Sequence, residues 1–203
     1  DRSGSMTDND KMETAKRAAR LYVDSWRNGD KLGLVSFNSN PTTNLTLRDW
    51  TTSPSGGSRQ QALDAIDGLT ATGGTAIGDA LRDGWDELIA RGDNSHDWAL
   101  VLLSDGMETA GTETFDGVIQ ALVDNTGKTP VVHTVAVGPD ADRPRMQTAA
   151  SRTGGTYQFV SVPGAIASAE TQAIASFQLN MDARYRAIAT EIDGNQQAYS
   201  FVG

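Results

Sequence analysis

Cysteine is absent from the 203 residues, which excludes disulfides and thiolate metal sites. Histidine is nearly absent too: His96 and His133 stand far apart, so a histidine-rich zinc site is not expected. His133 lies in an apolar run and reads as a core residue. Basic residues are outnumbered, 17 against 26 acidic, for a formal charge of −9. That balance argues against a nucleic-acid backbone as partner and favours cations. No apolar run approaches the ~20 residues needed to span a bilayer. No P-loop and no G-x-S-x-G turn marks a nucleotide or acyl-transfer site. The sequence starts inside a motif, so the lack of a leader peptide decides nothing about compartment. The length suits one domain of ordinary size, without internal repeats or a low-complexity linker.

What is present begins at once, with Asp1-Arg2-Ser3-Gly4-Ser5. Two hydroxyls and a carboxylate at alternate positions can converge if the chain turns tightly, and Gly4 permits such a turn. Oxygen-only donors, some neutral and some anionic, suit a hard divalent cation. Taken alone, the same residues also fit an ordinary turn with local side-chain hydrogen bonds.

Apolar spacing then predicts a helix over 10–27, through Met12, Ala15, Ala19 and Trp26. Residues 31–37 (KLGLVSF) predict a buried strand, and 43–48 (TNLTLR) an alternating edge strand. Asn44-Leu45-Thr46 is a glycosylation sequon in a suitable compartment. A Ser/Thr/Gly/Pro-rich loop over 51–58 precedes a helix over 59–69. A small-residue turn, Ala71-Thr72-Gly73-Gly74-Thr75, feeds the next helix, through Ile77, Leu81, Trp85 and Ile89. Strands are predicted over 98–103, 131–137 and 155–160, with helices over 115–123 and 143–152 between them. Beyond Val160, residues 163–178 read as a soft helix or a surface excursion. Residues 181–192 read as a helix, and 197–202 as a strand leading onward.

Buried strands alternating with helices define an α/β fold: an open, doubly wound, mostly parallel sheet with helices on both faces. In such sheets the ligand site lies at the carboxyl ends of the strands. Asp105 directly follows one strand, and the Ser-Gly-Ser and Gly-Gly-Thr turns each open a helix. Asp1, Ser3, Ser5, Thr75 and Asp105 are therefore expected at one sheet edge.

These features resemble the von Willebrand factor type A domain. The D-x-S-G-S turn, the separate Thr and the later Asp match that family's metal-ion-dependent adhesion site over roughly residues 1–193, leaving 194–203 as an exit segment. GDKLGLVSFNS, ATGGTAIGDAL, VLLSDGMET and VVHTVAVGP are similar to the type A domain of calcium-activated chloride channel regulators. The resemblance implies that Ser3 and Ser5 ligate Mg²⁺ or Mn²⁺ directly, with Ca²⁺ a further candidate. It makes Thr75 a direct or water-mediated ligand, and has Asp1 and Asp105 act largely through water. Two carboxylates would nearly cancel a divalent ion. The family also has a hydrophobic strand just before the first Asp, so the first strand is expected upstream of residue 1. Asp8 and Asp10 are similar to a second cation site of integrin β subunits, but Asn9 breaks that pairing and helix capping by Asp8 is favoured. The implied function is a non-enzymatic, extracellular or cell-surface module whose cation accepts a partner protein's carboxylate. Two alternatives are an intracellular module beside an AAA+ ATPase and a metal-assisted hydrolase.

Overall fold

The structure, a computed structural model, describes residues 1–27, 29–51 and 57–160. The elements expected over 163–178, 181–192 and 197–202, the exit segment, and most of the 51–58 loop lie outside the described residues.

A 3₁₀ segment, Gly4–Asp10, runs directly into helix α1, Lys11–Asp24. Strands β1, Lys31–Phe37, and β2, Pro41–Asp49, form an antiparallel pair. Helices α2, Ser58–Asp67, and α3, Ile77–Arg91, follow. Strand and helix then alternate: β3, Ala99–Ser104; α4, Phe115–Asp124; β4, Val131–Val137; α5, Arg143–Thr153; β5, Tyr157–Val160. Strands β3, β4 and β5 are parallel and adjacent in that order.

The α/β architecture is the one expected, with one refinement. Among the described residues the sheet has two parts, β1–β2 and β3–β4–β5. The first two residues join them. Arg2 N–H donates to the Phe37 carbonyl at 2.7 Å, and the Asp1 nitrogen donates to the Leu103 carbonyl at 3.1 Å. Asp1 and Arg2 therefore sit between the carboxyl ends of β1 and β3.

Side chains alternate across the strands, as a two-residue period requires. On one face Val35, Phe37, Leu100 and Leu102 pack with Ile77 and Leu81 of α3, Phe115 and Ile119 of α4, and Met146 of α5. Leu32 and Leu34 turn the other way, toward Val23 of α1 and Ala62 and Ile66 of α2. Burying a side chain such as Phe115 or Ile119 contributes about 1.5–3 kcal/mol. Leu103 joins Met6, Met12 and Ala15, so the segment after the first turn is fastened to the end of β3.

Local readings differ in two places. The first helix starts at Lys11, because the chain uses Gly4–Asp10 to wind tightly out of the opening turn. Asp8 is not its cap: Asp10 holds that position at φ 57° without a side-chain cap, and the Asp8 backbone carbonyl accepts the Lys11 N–H. The edge strand extends over Pro41–Asp49, with Leu45 its one buried residue. His133 is a core residue as expected, its Nδ1 accepting from Thr156 N–H at 3.1 Å.

Candidate metal-binding site

The opening turn is organised by Asp1. Its Oδ1 accepts the Ser3 N–H at 2.7 Å, folding the chain back, and its Oδ2 accepts the Ser104 hydroxyl at 2.6 Å. The hydroxyls of Ser3 and Ser5 then face each other at 3.0 Å. Ser5 Oγ donates to Asp105 Oδ1 at 2.8 Å, while Lys11 Nζ donates to Asp105 Oδ2 at 2.6 Å. Asp1, Ser3, Ser5 and Asp105 are thus links of one hydrogen-bonded chain at the carboxyl end of β3. Ser3 and Asp105 are buried and Ser5 is exposed, so the cluster opens to solvent on the Ser5 side.

Thr75 belongs to the adjoining loop. Gly4 N–H donates to the Gly73 carbonyl at 2.9 Å, and Thr72 N–H to the Arg2 carbonyl at 2.8 Å. A Cβ at Gly4 would lie 3.3 Å from that Gly73 oxygen, and Gly73 itself has φ 78°, so both glycines serve the close approach of the two turns. Thr75 is buried, and its N–H donates to Thr109 Oγ1 at 3.0 Å. The contacts that tie it to the other four residues run through backbone.

The loop after Asp105 is held by two carboxylates that the sequence did not single out. Glu108 accepts N–H bonds from Gly78, at 2.8 Å, and Phe115, at 2.9 Å. Asp79 accepts from Thr112 and Glu113, at 3.0 and 2.6 Å. Glu108 satisfies amides in the first turns of α3 and α4, where helices leave backbone donors unpaired, and Asp79 satisfies two amides of the loop leading into α4. Arg145, its pKa raised by hydrogen bonding to Asp116, also lies 3.7 Å from Glu108. Ser104 and Lys11 were likewise missed. Ser104 precedes Asp105 directly at a strand end, which is a signal; Lys11 gives none, since only the 3₁₀ winding brings it back to the cluster.

The donors are all oxygens. Among the described residues no three His, Cys, Asp or Glu side chains gather as a metal cluster. Two carboxylates and paired hydroxyls suit a hard divalent cation. The 3.0 Å between Ser3 Oγ and Ser5 Oγ fits this, because neighbouring ligands of an octahedral ion at ~2.0–2.1 Å stand about 3 Å apart.

Residues 1–108 match the family model of the von Willebrand factor type A domain. The chain is a member of that family. It is 30% identical over 156 residues to mouse calcium-activated chloride channel regulator 3A-1, covering 76% of this chain and 16% of that protein. Mouse calcium-activated chloride channel regulator 1 is 29% identical over 162 residues, covering 79% of this chain and 16% of that protein. The chain thus spans about a sixth of the length of the curated relatives it matches. Among solved structures, a von Willebrand factor type A protein from Catenulispora acidiphila superposes with a TM-score of 0.71 at 23% identity, over 85% of this chain and 39% of that one. Proximal thread matrix protein 1 from the mussel byssus, with a zinc-occupied metal-ion-dependent adhesion site, gives 0.64 at 21%, over 85% and 43%. Both likenesses concern the fold.

Glu108 offers a direct check on the loop. Glu108→Ala leaves the Gly78 and Phe115 amides without this acceptor, at a cost of about 2–3 kcal/mol in chemical unfolding. Glu108→Gln keeps one acceptor oxygen and should cost less than half of that.

Proposed function

We propose that this domain is a divalent-cation-dependent protein-binding module, not an enzyme. The observation that carries the reading is the single chain of oxygen donors from Asp1 through Ser3 and Ser5 to Asp105, open to solvent at Ser5. Ser3 and Ser5 would hold Mg²⁺ or Mn²⁺ directly, with Ca²⁺ a weaker candidate. Asp1 and Asp105 would act mainly through water, and Thr75 would join as a further ligand. The bound cation supplies Lewis acidity toward a partner's Asp or Glu side chain. Around it the loops carrying Thr75 and Glu108, pinned by the bonds described above, would select the partner. Lys11, the basic group that reaches the cluster, is engaged with Asp105 rather than placed to activate water. The zinc-occupied site of the mussel protein supports a metal here by analogy. An extracellular or cell-surface setting follows the likeness to the chloride channel regulators.

The domain reading extends to the sheet. We infer that a hydrophobic strand preceding Asp1 lies between β1 and β3, continuing the backbone bonds that Asp1 and Arg2 make to each.

Calorimetric titration with Mg²⁺ and Mn²⁺ tests the site. Metal at ~100 times Kd should stabilise the fold by about 2.7 kcal/mol. Ser5→Ala should weaken binding at least tenfold, while its lost hydrogen bonds to Asp105 and Ser3 should lower metal-free stability by about 1–2 kcal/mol. Identical melting in chelator and in millimolar Mg²⁺ counts against the reading. For the partner, full affinity in EDTA, or tolerance of alanine at every acidic residue of its interface, would do the same.

A further inference from the structure

We infer that Lys11 is a tethered counter-cation of the site, one that lowers its metal affinity and leaves the loaded site with net positive charge. This rests on the reading of the cluster as a divalent-cation site. Lys11 is 4% exposed, an unusual burial for lysine, and Asp105 is fully buried. Their 2.6 Å bond divides Asp105 in two: Oδ2 is taken by the ammonium and Oδ1 faces Ser5. The placement is built. Lys11 is the first residue of α1, where the helix dipole disfavours a cation, so helix electrostatics do not explain it. Asp10 adopts a left-handed φ of 57° just before it, turning the chain from the 3₁₀ segment into α1. The Lys11 stem passes over Gly138 at the end of β4, where a Cβ would lie 3.2 Å from Lys11 Cε. Beyond it, Asp140 Oδ2 stands 3.9 Å from Nζ, mostly in solvent and so only weakly competing for the charge.

The charge count follows. Asp1 and Asp105 contribute two negative charges and Lys11 one positive, so the donor set presents a net charge near −1. A divalent ion converts this to about +1. The ion therefore meets a repelling ammonium beside one of its carboxylates, and the excess positive charge it leaves is what an anionic ligand can neutralise. Without metal, Lys11 keeps Asp105 from being an unpaired buried carboxylate, so the fold does not need the metal to tolerate that group.

The test compares wild type, Lys11→Met and Lys11→Arg by Mn²⁺ calorimetry and by thermal unfolding in EDTA and in saturating Mn²⁺. Removing one charge a few ångströms from the site, at an effective dielectric near 20, corresponds to well over a tenfold gain in affinity. Lys11→Met should thus bind Mn²⁺ at least tenfold more tightly, while melting lower than wild type in EDTA. Its melting temperature should rise more on adding Mn²⁺ than that of wild type. Lys11→Arg, which keeps the charge, should stay within about threefold of wild-type affinity. A purely structural lysine would lower melting equally in both conditions and leave Kd unchanged; that result overturns the inference. So does weaker binding by Lys11→Met. If Lys11→Met does not fold with or without metal, Lys11→Gln carries the same comparison. Absence of Mn²⁺ binding in wild type would instead overturn the reading of the site itself.

Discussion

A buried carboxylate must be paired, and the way Asp105 is paired organises this domain. Its position is fixed by β3, which the core holds from both faces. Its two oxygens then reach the opening turn through Ser5 and the start of α1 through Lys11. Breaking Lys11 away exposes the cost of an uncompensated charge in a low-dielectric setting, and breaking Ser5 away leaves one buried carboxylate oxygen without its hydroxyl donor. The same group thereby closes the seam between the parallel strands and the segment that precedes α1. Met6 and Met12, packed against Leu103, close the seam from the apolar side.

Backbone does the remaining positioning. Four chain segments meet at the site, and each is tied to another by main-chain bonds: Arg2 to Phe37, Gly4 to Gly73, Ala76 to Asn38, Thr109 to Thr75. Such bonds tolerate side-chain change but not displacement. They hold the donors in place before any ligand arrives, which lowers the ordering cost of binding. Glu108 and Asp79 extend the same logic outward: Glu108 caps first-turn amides of α3 and α4, and Asp79 pairs amides of the loop between β3 and α4.

Much of this was legible in the sequence, and for a physical reason. Buried parallel strands are continuous apolar runs, so KLGLVSF and VVHTVAV announce themselves, and the carboxyl-end rule then locates Asp105 and the two small-residue turns together. Asp8 was misread because a polar residue ahead of an apolar periodic stretch signals a cap equally well when a 3₁₀ turn intervenes. Ser104, Glu108 and Asp79 were passed over because their roles depend on which amides face them, and that is settled by loop geometry alone.

Lys11 is the instructive omission. Read along the chain it is an ordinary lysine at a polar helix start, six residues past the motif. Counting only the motif's carboxylates gives a site whose charge a divalent ion would nearly cancel. With the ammonium included, the balance moves by one full charge toward positive. The protein's overall charge of −9 does not undo this, because distant exposed charges are screened within ~8–10 Å whereas the Lys11–Asp105 pair is buried. Net charge read from composition and local charge at the cation can therefore have opposite signs. In the binding mode proposed above, it is the local sign that an acidic partner would meet at the metal.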